Sequence, residues 1–409
     1  MKSSKKLHRW FMLISVVSLI TVWIWLIMFS HPILQNNLRS NHKLQFPSFN
    51  CPDVLRYMTQ GKWIPEKLNS FAQMEIDIFL EKARKDFYLP GTLQRLDNKC
   101  GNVTFDWLVG FQHPLLWFRA LCDPKGKNPC CYDNMCTNRP IEMCKCPGCY
   151  DMRQQVNAEY ARWDSVHPGC QVPLRSLDNM CNSLKDVTIY FIGDSFIRHM
   201  YTAFLMLVTG DMYDGAMAAE LMSPYNHSKC LGMYAFSERD CRGFLQPKAE
   251  LCHKSLNVEV MELSRIDNSD LIIRTIKKLE NHPKSMVVMG IGIHDNYNSE
   301  KTADTLLSPI VTERFALNQT WPRLLWAAPH APGLLKTPRV PEQSHASVIK
   351  FNDNIRYYLS KWNIPIFDSF NLTNGVNSFD GAHYGLGVNL IKVKILIEYI
   401  RELRSREKW

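Results

Sequence analysis

The sequence predicts an α/β protein with a parallel sheet flanked by helices, behind an N-terminal signal-anchor helix and a Cys-rich, disulfide-stabilised region. Three observations support this prediction. An almost wholly apolar segment runs from Phe11 to Phe29. All of the 14 cysteines except Cys51 lie between Cys100 and Cys252. From Lys185 onward, short apolar strands alternate with helical stretches, a pattern typical of parallel α/β sheets.

The apolar segment near the N-terminus is predicted to be a membrane anchor. It has about the length needed to cross a bilayer core of roughly 30 Å. Several lysines precede it, whereas Arg39 is the only Lys or Arg from His31 to Asn41. This asymmetry places the N-terminus in the cytoplasm and the rest across the membrane. The alternative is a cleaved signal peptide, but no small-residue cleavage pattern follows.

We therefore predict a cytoplasmic tail at 1–9, a single-pass type II anchor at 10–30 and a stem at 31–50. A Cys-rich lumenal region at 51–184 and an α/β domain at 185–409 follow. The compartment would be the Golgi or the cell surface. Four N-x-S/T sequons agree with a glycosylated lumenal domain. The sequon asparagines are Asn102, Asn226, Asn318 and Asn371.

The cysteines of the predicted lumenal region have two interpretations. An even number of cysteines in an oxidising compartment predicts disulfides, whose pairing is not evident from sequence. The run Cys144-Lys-Cys146-Pro-Gly-Cys149 also has zinc-ligand spacing, which a reducing compartment would favour. Because the anchor implies an oxidising lumen, we predict disulfides and no metal site. The same region contains an amphipathic segment, Met74 to Phe87, and a predicted helix from Tyr150 to Trp163.

The predicted α/β domain alternates strands and helices. Strands are predicted at Val187 to Ile192, Asn257 to Met261, Met286 to Met289, Leu324 to Ala328 and Ile364 to Phe367. Helices are predicted at Phe196 to Val208, Asp270 to Glu280, Ser347 to Trp362 and Val388 to Arg404. Ligands of such sheets bind at the carboxyl ends of the strands. The polar motifs of this sequence fall at those ends.

The net charge of +9 does not indicate nucleic acid. Four positive charges precede the anchor, and others crowd the C-terminus among Glu402 and Glu407. A topology signal and a solvated helix end account for this pattern. A nucleic-acid partner is therefore not expected.

The first motif, Gly193-Asp194-Ser195, closes one strand and opens a helix. Gly193 permits a tight turn with the backbone close to a substrate. Ser195 would expose its hydroxyl beside free N–H groups at the helix N-terminus, which can stabilise an oxyanion. A simple capped turn is the alternative interpretation, since Asp and Ser are both good N-caps.

Two further motifs follow later strands. Asp380-Gly-Ala-His383 can supply a general base and the carboxylate that orients it, as a serine nucleophile requires. Gly290-Ile-Gly292-Ile-His294 ends another strand and could offer an oxyanion donor. Each motif alone fits an ordinary polar loop, but together they predict one site.

The three motifs together resemble the SGNH (GDSL-type) acyl-ester enzymes. The resemblance is carried by Phe191-Ile-Gly-Asp-Ser-Phe-Ile-Arg198, the Gly290 to His294 block and Phe379-Asp-Gly-Ala-His383-Tyr-Gly385. Within this superfamily, the motifs resemble more specifically the PC-esterase branch. That branch includes trichome-birefringence-like proteins and sialate O-acetyltransferase relatives. The resemblance covers roughly residues 185–409.

The resemblance implies Ser195 as nucleophile, His383 as general base and acid, and Asp380 as its orienting carboxylate. Gly193, Asp194, Arg198, Gly292 and His294 would position substrate or stabilise the oxyanion. His294 stands where the broader superfamily has Asn, and the second-block glycine donor is not identifiable, with Gly232 and Gly243 as candidates.

The predicted function is O-acyl transfer, by preference O-acetyl, to lumenal or cell-surface glycans. An acetyl-esterase with the same triad is one alternative, and a non-catalytic glycan-binding or assembly protein is another. No bound cofactor is expected, although a transferase needs an acyl donor as co-substrate. Since one membrane span is unlikely to move an acyl group across by itself, an acyl-donor transporter is a predicted partner.

Overall fold

The computed structural model describes residues 51–86, 88–105, 118–237, 239–247, 250–316, 320–406 and 409. The predicted tail, anchor and stem lie outside these residues, as does Asn318. Within the described part, no helix is both long and apolar enough to span a membrane. The described residues of 51–173 and 177–409 belong to one compact unit. The domain boundaries predicted above stay predictions.

The described residues form nine strands and twelve α-helices, together with shorter helical turns. The strands are β1 (Gly61–Pro65), β2 (Cys130–Tyr132), β3 (Met135–Thr137), β4 (Ala161–Ser165), β5 (Val187–Gly193), β6 (Leu256–Glu262), β7 (Ser285–Gly290), β8 (Arg323–Ala328) and β9 (Ile366–Asp368). The helices are α1 (Val54–Tyr57), α2 (Ser70–Asp86), α3 (Leu177–Ser183), α4 (Ser195–Thr209), α5 (Pro224–Lys229), α6 (Tyr234–Ser237), α7 (Ser269–Lys278), α8 (Ser299–Thr302), α9 (Ser308–Ala316), α10 (His345–Ser360), α11 (Phe370–Thr373) and α12 (Leu386–Ser405).

Strands β5 to β9 form one sheet in the order β6-β5-β7-β8-β9, and every neighbouring pair is parallel. This confirms the predicted parallel sheet flanked by helices. The central strands β5 and β7 are buried almost along their whole length, as expected where helices cover both faces of a sheet. Because the strands are parallel, their carboxyl ends meet at one edge.

Helix α4 is the buried centre of this domain. It starts directly after β5, and its residues from Ser195 to Val208 are all buried. It packs against β5 and against the long C-terminal helix α12. Gly210, in a left-handed conformation with φ 71°, ends the helix. Because this helix is buried along its whole length up to Val208, its first residue is held firmly.

The predicted helix from Tyr150 to Trp163 is wrong. This segment contains two short 3₁₀ turns, Met152–Gln154 and Ala158–Tyr160, followed by strand β4. Strand β4 pairs antiparallel with β1, and Trp163 lies opposite Trp63. The Trp163 indole N–H donates to the Met58 carbonyl at 2.8 Å. A partner strand distant in sequence therefore overrides the local helical pattern.

All 14 cysteines lie within the described residues, and all are paired. The disulfides are Cys51–Cys170, Cys100–Cys131, Cys122–Cys136, Cys130–Cys144, Cys146–Cys149, Cys181–Cys252 and Cys230–Cys241. This confirms the predicted disulfide framework. It excludes the zinc interpretation of Cys144, Cys146 and Cys149, since every thiolate that zinc would need is oxidised.

Candidate active site

The turn from β5 into α4 places Ser195 at the carboxyl edge of the sheet. Gly193 has φ 155°, and a Cβ added there would overlap the backbone oxygen of Gly290 on β7. Asp194 is the N-cap of α4, and its Oδ1 accepts the Phe196 N–H at 3.0 Å. The first N–H groups of a helix have no partner within it. The Ser195 N–H is therefore suited to stabilise an oxyanion.

The loop before α12 brings Asp380 and His383 to Ser195. Asp380 Oδ1 accepts the backbone N–H groups of Ala382 and His383 at 2.9 and 2.7 Å. Its Oδ2 lies 2.6 Å from His383 Nδ1, and His383 Nε2 lies 2.7 Å from Ser195 Oγ. These are the distances expected for a nucleophile, its base and the carboxylate that orients the base.

The electrostatics keep Asp380 ionised. Burial alone would raise the pKa of Asp380, but the His383 charge and the hydrogen bonds from the His383 ring and the two backbone N–H groups outweigh it and lower the pKa. An ionised carboxylate on Nδ1 holds the proton there and leaves Nε2 free to accept the Ser195 proton.

Asp194 connects the first turn of α4 to the motif Gly290 to His294 at the end of β7. Burial raises the pKa of Asp194 to about 6, opposed by the Phe196 N–H, the His383 charge and the N–H groups of Ile293 and Gly292. The Asp194 N–H donates to the Gly290 carbonyl at 3.2 Å, which ties the end of β7 to the first turn of α4. Gly292 itself has φ 156°, a conformation that favours glycine.

His294 projects from a short 3₁₀ turn, Ile293–Asp295, at the end of β7, and it is exposed. Its pKa is lowered by partial desolvation and by the nearby cationic groups, led by His383 and Lys336. The oxyanion or substrate-positioning role of His294 stays a prediction. Of the two glycine candidates, Gly232 donates its N–H to the Tyr213 carbonyl at 2.8 Å, so this N–H is occupied. Gly243 lies in a 3₁₀ turn, Arg239–Phe244.

Arg198 is 4 % exposed, and its guanidinium donates hydrogen bonds to two other side chains. Its Nη1 donates to Glu262 Oε1 at 2.6 Å, and its Nη2 donates to His199 Nε2 at 3.1 Å. Glu262 ends β6 beside Gly193. The His199 ring lies 4.9 Å from the His383 ring, and burial followed by the Arg198 charge lowers its pKa well below the usual value. Arg198 thus fixes the surroundings of His383.

Sequence reasoning missed a fourth loop at the same edge. After β8 the chain reads Pro329-His330-Ala331, and His330 Nε2 lies 2.7 Å from the Ala382 carbonyl oxygen. The Tyr384 hydroxyl donates to the Ala331 carbonyl at 2.7 Å. Position alone could have identified this loop, since it directly follows a predicted strand, as the other motifs do.

The Cys-rich region supports the loop that carries Asp380 and His383. Val156 donates to the Gly375 carbonyl and accepts from the Asn377 N–H, at 2.9 and 2.8 Å. Glu159 Oε1 accepts the Gly387 N–H in the first turn of α12 at 3.3 Å. Residues 51–184 therefore form part of the wall behind His383.

The three sequons within the described residues lie outside this site. Asn102 and Asn371 are exposed and Asn226 is partly buried. The Asn371 side-chain amide donates to Gln60 Oε1 at 2.6 Å. Glycosylation at these positions stays a prediction. A cavity of about 560 Å³ between α1, β9 and α12 is lined by none of the triad residues.

Comparisons with known proteins are sparse. No family model and no curated protein matches this sequence. A carbohydrate acetylesterase from Sinorhizobium meliloti is similar in structure, with 12 % identity and a TM-score of 0.33 over 53 % of this chain and 99 % of that chain. A native aryl esterase of M. smegmatis has 14 % identity and a TM-score of 0.32 over 53 % and 99 %. A lipase/acylhydrolase from Enterococcus faecalis has 15 % identity and a TM-score of 0.29 over 54 % and 95 %. At these identities and scores we draw no functional conclusion from them.

Proposed function

We propose that this chain is an O-acyltransferase, with acetyl as the preferred group, that acts on glycans of the secretory pathway through an acyl-serine intermediate. The observation that carries the proposal is the hydrogen-bonded series Asp380–His383–Ser195, with distances of 2.6 and 2.7 Å. The motif resemblance to SGNH acyl-ester enzymes supports the same chemistry. Seven disulfides are consistent with an oxidising compartment.

The first half-reaction acylates Ser195. His383 Nε2 takes the hydroxyl proton while Ser195 Oγ bonds to the acyl carbon of the donor. His383 then returns this proton to the donor's leaving oxygen or sulfur as its bond to the acyl carbon breaks. The Ser195 N–H stabilises the negative charge that develops on the carbonyl oxygen.

The second half-reaction transfers the acyl group to an acceptor hydroxyl. The acceptor gives its proton to His383 and attacks the acyl carbon, and the proton passes to Ser195 Oγ as the ester bond breaks. When the acceptor is a sugar hydroxyl, the product is an O-acyl glycan. When it is water, the same residues make the protein an acetyl-esterase, which is the alternative that this geometry favours equally.

A non-catalytic glycan-binding or assembly role is less favoured because such a role does not require an assembled triad. The membrane anchor, the Golgi or cell-surface location and an acyl-donor transporter stay part of the proposal. They follow from the sequence pattern and from the need of a transferase for a lumenal donor.

The experiment compares how the acyl-enzyme divides between two acceptors. Purified full chain is incubated with an activated acetyl ester and with glycan acceptors, and O-acetyl glycan and free acetate are both quantified. Ser195→Ala is the inactive variant. Ser285→Ala is the matched control, since it removes a buried hydroxyl at the opposite end of β7, where Ser285 bonds only the His282 carbonyl.

Acetyl transfer to glycan that exceeds release to water supports the transferase. Release to water alone supports the esterase alternative. If wild type and Ser195→Ala behave alike with both acceptors, the acyl-serine mechanism is wrong and the binding role is favoured.

A further inference from the structure

We infer that His330 is a positioning residue for the acyl transfer proposed above, and that Lys392 fixes the tautomer in which it acts. The inference rests on the proposed function. His330 does not contact the reacting atoms. It acts through the Ala382 peptide, which lies between Asp380 and His383 in the chain.

The hydrogen bonds of His330 define one tautomer. Its Nε2 lies 2.7 Å from the Ala382 carbonyl oxygen, and its Nδ1 lies 2.9 Å from Lys392 Nζ. A carbonyl oxygen only accepts, so Nε2 must carry the proton. Nδ1 then has no hydrogen and accepts a hydrogen bond from the Lys392 amino group, which carries N–H donors whether or not it is protonated. Each ring nitrogen therefore has one partner of the right kind.

The surroundings keep this ring neutral and in place. His330 is 4 % exposed and Lys392 is 1 % exposed. Burial lowers the pKa of His330 well below its usual value, and the charges of Lys392, His383 and Lys336 lower it further. The ring lies 3.8 Å from the Phe196 ring, next to the nucleophile. His330 thus fills the space between the first turn of α4 and the loop that carries His383.

Ala382 is the point at which this contact affects catalysis. Its N–H donates to Asp380 Oδ1, and its carbonyl accepts from His330. Both peptide groups that flank Ala382 are therefore fixed. The next residue is His383, whose Nε2 must stay 2.7 Å from Ser195 Oγ. A displacement of about 1 Å in such a group can cost about 10²-fold in rate.

Other bonds keep the two loops together when this one is lost. The Gly333 N–H donates to the Gly381 carbonyl at 3.0 Å, and the Tyr384 hydroxyl donates to the Ala331 carbonyl at 2.7 Å. We therefore expect variants of His330 to retain the fold while the position of the His383 ring loosens.

The experiment compares His330→Gln with His330→Asn in the full chain. The Gln amide reaches the position of Nε2 and can donate to Ala382, whereas the shorter Asn amide reaches only the position of Nδ1. We expect His330→Asn to acylate Ser195 about 10²-fold more slowly than wild type. We expect His330→Gln to acylate Ser195 at least tenfold faster than His330→Asn. The KM for the acetyl ester should be unchanged in both variants.

Two measurements separate positioning from stability. Ser285→Ala should lower the melting temperature and leave the acylation rate as in wild type. Nitrogen NMR of the histidine rings in wild type should show His330 with its proton on Nε2 at neutral pH, which tests the inference even if a variant does not fold.

Equal acylation rates for the Asn and Gln variants, a wild-type rate for His330→Asn, or a proton on Nδ1 would each overturn the role of His330 alone. Absence of any acyl-enzyme in wild type would instead overturn the proposed function, and this inference with it.

Discussion

His383 Nε2 lies 2.7 Å from Ser195 Oγ, although 188 residues separate the two along the chain. Ser195 opens α4 directly after β5, and His383 lies in the loop between α11 and α12, which follow β9. The strands that precede these residues are parallel members of one sheet, so both loops emerge at the same edge. The topology therefore assembles a site whose parts have no local connection.

Asp380→Asn should nearly abolish acylation of Ser195. An amide at this position can donate to His383 Nδ1 and so select the tautomer with its proton on Nε2, which cannot accept from Ser195. The analogous change in another serine triad costs about 10⁴-fold in turnover. The acylation rate measured by stopped-flow release of the leaving group checks this.

Asp368→Asn is the matched control for that variant. Asp368 is a partly buried carboxylate that pairs with Arg356 outside the triad, and its loss should leave the acylation rate as in wild type. An Asp380→Asn rate within tenfold of wild type would contradict the role given to this carboxylate.

Gly193→Ala should prevent folding of the sheet edge. The added Cβ would overlap the Gly290 carbonyl oxygen, and the backbone at φ 155° disfavours any side chain. We expect a loss of more than about 4 kcal/mol in the free energy of unfolding. Gly91→Ala is the control because its Cβ would meet nothing within 4 Å. Chemical denaturation checks both, and a Gly193→Ala protein as stable as Gly91→Ala would refute this account of the turn.

Lys392→Met should change how stability depends on pH. Burial lowers the pKa of Lys392 to about 7 from an ordinary 10.5, with Asp194 opposing the shift. Between these values the unfolded chain binds a proton that the folded chain does not, so the stability of wild type rises with pH from about 7 upward. Each pH unit in this window contributes up to about 1.4 kcal/mol.

The stability of Lys392→Met relative to wild type should therefore be greatest below pH 7 and should fall as the pH is raised to 9. Denaturation at pH 6 and pH 9 measures this difference. Leu396→Met, on the same helix and without a titratable group, is the control. Its free energy of unfolding should differ from that of wild type by the same amount at both pH values. If the difference between Lys392→Met and wild type were also independent of pH, the pKa of Lys392 would not be lowered in the folded chain.

Glu159→Ala should destabilise the N-terminus of α12. The N-cap residue Gly385 has no side chain to accept the free N–H groups of the helix, and Glu159 supplies an acceptor to Gly387 instead. Loss of such a cap costs about 0.5–2 kcal/mol. Glu159→Gln keeps an acceptor oxygen and should lose less. Thermal unfolding compares the two, and an Ala variant as stable as the Gln variant would argue against a capping role.

The members of the candidate triad were predictable because each follows a strand with a clear local pattern. Val187 to Ile192 is rich in β-branched residues and leads into Gly193-Asp194-Ser195. Once the strands are identified as parallel, their polar ends are expected at one edge. This placed Ser195, Asp380 and His383 in one site from the sequence, and the structure brings them together.

The supporting residues were not predictable because their partners are distant. His330 and Lys392 are 62 residues apart, and Glu159 and Gly387 are 228 apart. The same reason explains the wrong helix at Tyr150 to Trp163, where strand β1 decides the conformation. Arg198 was expected to position substrate or stabilise the oxyanion, and that role stays a prediction. Its hydrogen bonds to Glu262 and His199 could not be predicted from local sequence.

The most direct test of the account is to locate the acyl group on the protein. The full chain is mixed with an activated acetyl ester, quenched with acid within a single turnover and digested, and the acetylated peptide is identified by mass spectrometry. The account predicts acetate on Ser195, with no such peptide from Ser195→Ala. Acetate on another residue, or ester turnover that persists in Ser195→Ala, would contradict it.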